Sequence, residues 1–541
     1  MSLRETPSRA FLVAGSLKAL ASTGIIRPYS PPTLYRLAKT LVQRGTGLAG
    51  GFTALAARMP DQLGLIDELG PLTYEEIHRR TNAIARGLRR LGVDEGDAVA
   101  VMARNHRGFV DASVAAAKLG ADVLYLNTAF AGPQLTEVLE RESPVVLVHD
   151  EEFSDLLSRL PERGGRVIAW HDGDGDDTPT LQALVEANDD ADLCVPGREA
   201  RTTILTSGTT GTPKGASRGS GSLGAAASLV SRLPLRHGWS VQVAAPLFHT
   251  WGWAHLNLSM LIGSTLVLRR RFDAEDCLRT LAEHRCDALV VIPVMLQRML
   301  DLPEPTRAAY DLSCVKAVAA SGSALTGDLS TRWMDSFGDT LFNVYGSTEC
   351  AWATIAQPAE LRSHPGTAGR PPLGTVVRLY AEGDAEVAEG ETGRIFVGNS
   401  MLFEGYTGGG GKDEIDGLMA TGDVGRFEAG LLFVEGRDDD MIVSGGENVF
   451  PQEVEDCIAR HDDVADVAVV GVDDPDYGQR LRALVVPRAG ASLDEAAVQS
   501  HVKAHLARYK VPREVWFLDE LPRNATGKIL TRELAQRTES P

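Results

Sequence analysis

The sequence predicts an α/β protein with a large, multi-layered N-terminal domain built on mainly parallel sheets and a small, mobile α+β C-terminal domain. Short β-type runs alternate with helical segments from residue 72 to about residue 320, a pattern typical of parallel sheets covered by helices. The pattern changes near residue 437, and 541 residues suffice for more than one domain. We therefore expect an N-terminal arm (1–50), a large domain (51–436) and a small domain (437–541).

The large domain is predicted to begin with a helix over residues 73–92, which has helical spacing and stops at Gly92. A second helix is expected over residues 110–120. Four short runs of apolar and β-branched residues predict strands: 97–103, 144–150, 287–293 and 314–320.

The small domain is predicted to contain two strands, DVAVVGV (466–472) and LRALVVP (481–487), and then a helix. We expect this helix to begin at a capping box formed by Ser492 and Glu495. His501 and His505 lie four residues apart on it, a spacing that can bind a metal ion. No third ligand is evident from the sequence, so a solvated helix face is the favoured interpretation.

Charge and cysteine content exclude some functions. A net charge of -19 argues against non-specific binding of nucleic acid. The six cysteines are scattered, without a CxxC pair, which indicates reduced thiols in a cytoplasmic type of compartment. No particular oligomeric state is predicted.

The N-terminal arm has a composition of its own. Residues 1–50 carry seven basic residues and one acidic residue, a charge of +6, so the remaining residues carry -25. The apolar stretch 11–26 is interrupted by Lys18 and is too short to span a bilayer. Two interpretations stay open: peripheral contact with an anionic membrane surface, and an arm packed on its own domain.

The stretch TSGTTGTPKG (206–215) predicts a loop that binds polyphosphate. Backbone N–H groups of a glycine-rich turn form a concave anion site, to which hydroxyl groups and a lysine add donors. A Walker-type P-loop is excluded, because Pro213 precedes the lysine and Gly215 follows it. The candidate ATP-binding residues here are Thr206, Ser207, Gly208, Thr209, Thr210, Gly211 and Lys214.

Four further motifs follow in order: YGSTE (345–349), TGD (421–423), GRDDDMIVSGGENVFPQEVE (436–455) and LPRNATGKILTREL (521–534). Together with the loop they resemble the signature motifs of the adenylate-forming superfamily: acyl- and aryl-CoA synthetases, adenylation domains of peptide synthetases and beetle luciferases. The resemblance covers about residues 50–535. It implies ATP- and Mg²⁺-dependent conversion of a carboxylic acid to acyl-AMP, with release of pyrophosphate, and then thioester formation with coenzyme A.

The resemblance also implies roles for individual residues of the nucleotide site. Glu349 would bind Mg²⁺, Thr348 would donate to the α-phosphate, and Tyr345 would lie against the adenine. Asp423 would accept both ribose hydroxyls, and Arg437 would reach the ribose from the domain border. The segment ASGSA (320–324) stands where the family has its adenine-edge loop, although Ser323 and Ala324 depart from the usual Gly-Ala-Pro. The other expected contacts with ATP are Gly322, Asn343, Gly346 and Ser347.

In the small domain, the resemblance makes Lys528 the catalytic lysine, lying between the substrate carboxylate and the α-phosphate. Asp439 would be the hinge about which the domain rotates between the two half-reactions. The expected path of coenzyme A is formed by Ser444, Gly445, Gly446, Glu447 and Asn448.

The segment APLFHTWGW (245–253) matches the border of the acyl pocket. His249 stands where amino-acid-activating domains usually have an aspartate nearby, and Trp253 is either a pocket wall or core packing. These residues predict an uncharged, apolar acyl group, a fatty acid first and an aryl acid second.

Three other functions are weighed against this prediction. A fatty acyl-AMP ligase that serves a carrier protein is the main rival; the intact SGGEN (444–448) and the lack of an insertion near the hinge favour the CoA ligase. A luciferase-type oxygenase is disfavoured because the chain ends in TESP, without a peroxisomal signal. A catalytically silent nucleotide-binding protein would be expected to have lost Lys528, Glu349 or Asp423, and all three are present.

Overall fold

Four β-sheets organise the computed structural model, which describes residues 9–130, 132–158, 165–173, 178–206, 214–218, 223–403, 405–406, 411–438, 442–444, 447–474, 478–524 and 527–537. Helices cover the sheets. They are α1 (Arg9–Ser22), α2 (Pro31–Arg44), α3 (Leu48–Arg58), α4 (Tyr74–Arg90), α5 (Arg107–Lys118), α6 (Gly132–Glu142), α7 (Ser154–Ser158), α8 (Leu181–Ala187), α9 (Leu223–Val230), α10 (Thr250–Ile262), α11 (Ala274–Glu283), α12 (Pro293–Leu300), α13 (Glu304–Ala308), α14 (Gly327–Phe337), α15 (Pro358–Ser363), α16 (Pro451–Ala459), α17 (Glu495–His505) and α18 (Thr531–Ala535).

The first sheet has eight strands, which are β1 (Leu63–Asp67), β2 (Gly70–Thr73), β9 (Ser240–Val243), β10 (Thr265–Val267), β11 (Ala288–Val291), β12 (Ala317–Ala320), β13 (Leu341–Tyr345) and β14 (Thr354–Ala356). Their order is β14-β13-β12-β11-β9-β10-β1-β2. All neighbours are parallel except at the two edges, where β2 and β14 run antiparallel.

The second sheet has six strands, which are β3 (Ala98–Met102), β4 (Asp122–Tyr125), β5 (Val146–Asp150), β6 (Gly165–Trp170), β7 (Thr202–Thr206) and β8 (Lys214–Arg218). Their order is β6-β5-β3-β4-β7-β8, and only β8 is antiparallel to its neighbour. The helix between β2 and β3, α4, begins with a capping box of Thr73 and Glu76 and buries Ile77, Ile84 and Leu88 completely. That apolar face joins the core shared by both sheets.

The third sheet is antiparallel and contains β15 (Val376–Tyr380), β16 (Gly393–Gly398), β17 (Glu414–Ile415), β18 (Leu418–Glu428) and β19 (Leu431–Arg437). The fourth contains β20 (Ile442–Ser444), β21 (Glu447–Val449), β22 (Val464–Asp474), β23 (Gly478–Pro487) and β24 (Glu514–Phe517). This last sheet has its own core, to which α16 and α17 contribute. The predicted α/β class, with parallel sheets in a large domain and a small second domain, is confirmed; mobility and the domain boundaries stay predictions.

The predicted capping box at Ser492 and Glu495 is wrong. Helix α17 begins at Glu495, and the side chain of Asp494 accepts a hydrogen bond from the backbone N–H of Ala497 at 2.8 Å. Asp494 therefore caps the helix, and Glu495 is its first residue rather than its third.

Helices α1 and α2 of the N-terminal arm each pack one face against the large domain. Helix α1 lies against α9, and Gly15 of α1 approaches the side chain of Leu373 so closely that a Cβ there would lie 2.9 Å from it. Helix α2 packs on α3 but buries none of its own residues. Eight large apolar side chains of the arm are 42–86% exposed: Phe11, Val13, Leu17, Ile26, Leu34, Tyr35, Leu41 and Val42. Across the part of the chain that the structure describes, no helix is both long and apolar enough to cross a bilayer.

Candidate active site

Strands β7 and β8, which flank the glycine-rich stretch in the sequence, pair as a hairpin at the edge of the six-stranded sheet. Strand β7 runs parallel to β4, and β8 returns antiparallel to it, with Thr206 opposite Lys214 as the last pair. The loop therefore leaves the carboxyl end of β7, the edge at which α/β sheets bind ligands. Ser207, Gly208, Thr209, Thr210 and Gly211 lie outside the described residues, and for Thr206 and Lys214 only the backbone is described.

Glu349 lies at the base of this hairpin. Ala216 of β8 forms a β-bridge with Tyr406, and the Tyr406 hydroxyl donates to Oε1 of Glu349 at 2.9 Å. Burial, and then the neighbouring Glu349 carboxylate, raise the pKa of Tyr406, so that the phenol stays a donor. The hydroxyl of Thr348 lies 3.2 Å from that of Thr250, at the start of α10. Segments far apart in the chain thus converge on Thr348 and Glu349.

The turn after β13 holds these two residues in place. The Ser347 hydroxyl accepts hydrogen bonds from the backbone N–H groups of Glu349 and Cys350, at 3.2 and 3.3 Å. Gly346 allows the turn to fold back, since a Cβ there would lie 2.3 Å from the carbonyl oxygen of Ala351. Ala351 itself adopts a φ of 62°, which is uncommon for a residue with a side chain. The turn is therefore a tight and partly strained one.

Asp423 forms the centre of a second cluster. The hydroxyl of Tyr345 donates to Oδ2 of Asp423 at 2.6 Å, and Arg437, opposite Asp423 on the paired strand β19, approaches Oδ1 to 3.6 Å. Burial raises the pKa of Asp423, whereas the Tyr345 hydrogen bond and the charges of Arg437, Lys528 and Lys412 lower it. The catalytic lysine predicted from the sequence is thus close enough to act electrostatically on the predicted ribose ligand.

Lys528 is presented by a tight turn of the small domain. The backbone N–H of Lys528 donates to Oδ1 of Asn524 at 2.9 Å, and the backbone N–H of Asn524 donates to the carbonyl of Lys528, also at 2.9 Å. The preceding residue, Gly527, has a φ of +76°. A Cβ on Gly527 would lie 2.7 Å from Cγ1 of Val294 and 3.0 Å from Cδ1 of Ile292. The turn is therefore seated on the large domain, where β11 leads into α12.

The segment after β12 lies beside this seat. Gly322 has a φ of +101°, and a Cβ there would lie 3.2 Å from Ile292, the residue that also contacts Gly527. Gly322 and Ala324 are exposed and Ser323 is partly exposed, so the segment is open to a ligand. Asn343 differs, because it is 7% exposed and its amide donates to the carbonyl of Thr367 at 3.2 Å. Its side chain supports the neighbouring backbone.

Aromatic residues dominate the first turns of α10. His249 precedes the helix, and its ring packs at a tilt against Phe248 with ring centroids 4.4 Å apart. Its Nε2 is buried and has no partner among the described residues. Burial lowers the pKa of His249 to about 3, so the imidazole is neutral at neutral pH. Trp251 donates to the carbonyl of Val291 at 3.0 Å. Trp253 is 5% exposed and belongs to the large core, which agrees with the core-packing alternative.

The predicted coenzyme A residues lie on the hairpin of β20 and β21. Ser444 pairs with Glu447, and Val443 with Asn448. Gly445, Gly446 and the predicted hinge Asp439 lie outside the described residues, as do the side chains of Ser444, Glu447 and Asn448.

Sequence reasoning missed Tyr406, Thr250, Ile292 and Val294. The sequence gives one indication of Tyr406, since a run of four glycines at 408–411 follows it closely, a composition typical of loops. Thr250, Ile292 and Val294 are ordinary residues in ordinary elements, and only the packing of distant segments brings them to the site.

Comparison with known proteins places this site in a family. Residues 52–407 match the AMP-binding enzyme family, and residues 453–528 match the AMP-binding enzyme C-terminal domain. The chain is 33% identical over 509 residues to a feruloyl-CoA synthase of an Amycolatopsis species, covering 91% of this chain and 99% of the relative. It is 32% identical over 506 residues to the indoleacetate–CoA ligase of Aromatoleum aromaticum, covering 92% and 97%.

Among solved structures, ATP-bound MatB from Rhodopseudomonas palustris superposes with a TM-score of 0.78 at 26% identity, covering 91% of this chain and 98% of that one. The matched ranges contain both the hairpin of the glycine-rich loop and Lys528. The chain therefore belongs to the AMP-binding enzyme family of the adenylate-forming superfamily, and it is an AMP-forming acid–CoA ligase.

Proposed function

We propose that the enzyme activates an aromatic carboxylic acid, forming aryl- or arylalkanoyl-AMP with release of pyrophosphate, and then transfers the acyl group to coenzyme A. Two relatives of nearly full length carry names of ligases for ring-bearing acids, feruloyl-CoA synthase and indoleacetate–CoA ligase. An aromatic acid, which the sequence made the second candidate, therefore replaces a fatty acid as the proposed substrate.

The aromatic cluster at the start of α10 supports this choice. The imidazole of His249 is neutral, and the indole of Trp251 lies edge-on to His255 with ring centroids 4.2 Å apart, an arrangement in which aromatic rings pair favourably. The cluster lies beside Thr348 through Thr250, so an acid held there has its carboxylate near the proposed α-phosphate position.

The single observation that carries the adenylation step is the seating of the Lys528 turn on the large domain, where a Cβ on Gly527 would lie 2.7 Å from Val294 and 3.0 Å from Ile292. With Asp423 on the ribose, the ammonium of Lys528 is held next to the nucleotide, where a positive charge stabilises the negative charge that builds up when carboxylate meets phosphate. Tyr345, Arg437, Thr348 and the glycine-rich loop complete the nucleotide site in this proposal.

Glu349 fits a ligand of Mg²⁺. It is a half-buried carboxylate oriented by the Tyr406 hydroxyl, and hard oxygen donors of this kind are those that Mg²⁺ prefers. When bound, Mg²⁺ neutralises charge on the phosphates. Glu349 would hold the ion, and the hydroxyl of Tyr406 orients Glu349.

An acid panel tests the substrate class. Pyrophosphate release is measured with ferulate, indoleacetate, hexanoate and palmitate, each with and without coenzyme A. We expect kcat/KM for at least one aromatic acid to exceed that for both fatty acids by about tenfold or more, since one or two well-packed groups are worth about 1–3 kcal/mol. A higher kcat/KM for palmitate would overturn the aromatic assignment and leave the ligase activity itself intact.

The position of Asp439 as hinge, the rotation of the small domain and the path of coenzyme A along residues 444–448 are part of the same proposal. The path of coenzyme A is supported by the pairing of β20 with β21, in which Ser444 lies opposite Glu447. Glycines allow a ligand to lie against the backbone.

We also infer that the arm formed by residues 9–44 binds an anionic membrane surface. Leu34, Ala38 and Val42 succeed one another at four-residue intervals on the outer face of α2, with Tyr35 and Leu41 beside them. Large apolar residues this exposed are costly in a monomer and mark interaction sites. No acidic residue occurs between residues 9 and 60, whereas the whole chain carries -19. A basic, amphipathic helix with an outward apolar face matches an anionic bilayer.

Liposome sedimentation tests this surface with point variants, because deleting the arm would uncover α9. We expect the full-length protein to bind vesicles containing anionic lipid, and Arg36→Glu/Lys39→Glu to bind at least about 30-fold more weakly, at about 1 kcal/mol for each basic residue removed. Leu34→Ser/Val42→Ser should weaken binding as well, and Leu69→Ser, an exposed apolar residue elsewhere, should not. Equal binding by wild type and charge-reversal variant, or a concentration-dependent dimer that Leu34→Ser/Val42→Ser dissociates, would contradict the membrane assignment.

A further inference from the structure

The two histidines of α17 have a third partner that their spacing does not reveal. Cys457 of α16 packs against α17, and its Sγ lies within 4.8 Å of one ring nitrogen of His501 and one of His505, which are themselves within that distance of each other. Cys457 precedes His501 by 44 residues, so only the packing of the two helices brings the three ligand atoms together. The expectation of a solvated helix face is therefore incomplete.

Hydrogen bonds hold both rings in place. Nε2 of His501 donates to the carbonyl of Cys457 at 3.0 Å, which keeps the ring beside the thiol. Nδ1 of His505 donates to the carbonyl of His501 at 2.8 Å. Because a carbonyl can only accept, the proton of a neutral His505 is on Nδ1, and Nε2 keeps its lone pair. Metal-binding histidines are typically oriented by such a bond from the second nitrogen.

We propose that the small domain binds one transition-metal ion of the zinc class between α16 and α17, through Cys457, His501 and His505. One thiolate and two imidazoles suit Zn²⁺ or Co²⁺ and not Mg²⁺ or Ca²⁺, which require oxygen ligands. The ligand atoms must draw together to about 3.5 Å to surround an ion at bond lengths of about 2.0–2.3 Å, a movement of side-chain size.

A fourth group lies next to the three. The ring of His461, just beyond the end of α16, is 5.1 Å from that of His501 between centroids. Tetrahedral coordination takes a water molecule as the fourth ligand, or this imidazole once its Nδ1 gives up the hydrogen bond that it accepts from the backbone N–H of Asp463 at 3.2 Å. In either case the ion would tie α16 to α17, and none of these residues belongs to the site that holds Lys528 and Asp423.

The test uses the full-length protein freed of metal with a chelator and titrated with Co²⁺, whose bond to a thiolate gives a charge-transfer absorption. We expect one Co²⁺ per chain with this absorption, displaced by one equivalent of Zn²⁺. His505→Gln should weaken Co²⁺ binding by at least about 100-fold, beyond the 10–100-fold that outer-shell partners typically cost. Cys457→Ser should abolish the absorption.

Two matched variants serve as controls. Cys194→Ser removes an exposed thiol and His171→Gln an exposed imidazole, and neither should change the titration. Since Cys457 is buried and its replacement can disturb the core, the exposed His505 keeps the test decisive. Absence of the thiolate absorption, its survival in Cys457→Ser, undiminished affinity in His505→Gln, or its loss in Cys194→Ser would each overturn the proposal.

Discussion

At the scale of residues, function rests on groups whose position, not whose type, is unusual. Lys528 is an exposed lysine on a surface turn, and nothing in its local sequence sets it apart from any other lysine. The turn that carries it lies against Val294 and Ile292 of the large domain, and this position makes Lys528 a candidate for catalysis. Lys528 was predicted to be catalytic because the motifs resemble those of a known family. Composition alone would not have identified it. Tyr406, which orients Glu349, was not proposed at all.

Replacing Lys528 by alanine tests whether this lysine acts only in adenylate formation and not in thioester formation. A unit charge about 4 Å away, at an effective dielectric near 20, is worth about 4 kcal/mol, or roughly a thousandfold in rate. We expect Lys528→Ala to lose adenylate formation, measured as pyrophosphate release, by that factor, and to retain thioester formation from preformed acyl-AMP. Lys503→Ala, an exposed lysine of the same domain, is the control. Equal loss in both half-reactions would refute a role confined to the first.

Tyr406→Phe removes the hydroxyl that holds Glu349. A hydrogen bond to a charged group contributes about 1.5–3 kcal/mol, so kcat/KM for ATP should fall by at least about tenfold, and partly recover at higher Mg²⁺ concentration. Tyr509→Phe, on an exposed tyrosine, should have no effect. An unchanged Mg²⁺ dependence in Tyr406→Phe would separate Glu349 from the metal.

At the scale of elements, the two helices and four strands that the sequence predicted for the large domain are found to within a few residues. Strand 97–103 is found at Ala98–Met102, and the helix expected at 110–120 begins earlier, at Arg107. The alternation of apolar and polar residues reflects the local secondary structure, so it predicts helices and strands without knowledge of the tertiary fold. The pairing of strands, by contrast, depends on residues far apart in the chain. The loop sequence could not show that β8 runs antiparallel to β7, or that Ala216 of β8 forms a bridge with Tyr406.

The turn that carries Lys528 gives a prediction at this scale. Gly527→Ala combines backbone strain at φ +76° with a collision against Val294 and Ile292, whereas Gly490→Ala has the same kind of strain, at φ +81°, with nothing within 4 Å. Both should destabilise the small domain by about 1 kcal/mol. Only Gly527→Ala should lower the rate of adenylate formation, by about tenfold or more. Equal rates in the two variants would show that seating on the large domain is unimportant.

At the scale of the whole molecule, three neutral histidines fixed in the large domain predict an acid-sensitive fold. Burial lowers the pKa of His249 to about 3 and of His255 to about 4. Burial, and then the charge of Lys118, lower that of His78 to about 4. The unfolded chain, with values near 6.5, binds more protons than the native state below that pH. The stability that these three neutral histidines contribute is therefore fully present above about pH 6.5 and is lost as the pH falls toward 4.

His255→Leu isolates one of these contributions. At about 1.4 kcal/mol per pKa unit, His255 alone should account for about 3 kcal/mol of the stability lost between pH 6.5 and 4. Denaturant unfolding at several pH values should show a flatter profile in His255→Leu, and an unaltered one in His171→Gln, which is exposed. A variant profile parallel to the wild type would mean that the pKa of His255 is the same in the native and unfolded states.

The arm supplies a last consequence. Helix α1 lies on α9, the helix that follows β8 and hence the glycine-rich hairpin. A ligand that draws α1 away from α9 disturbs a neighbour of the nucleotide loop, and thermodynamic reciprocity then requires ATP to alter that ligand's affinity by the same factor. Vesicle sedimentation with and without ATP measures this coupling, and identical partition in both conditions would show that arm and nucleotide loop act independently.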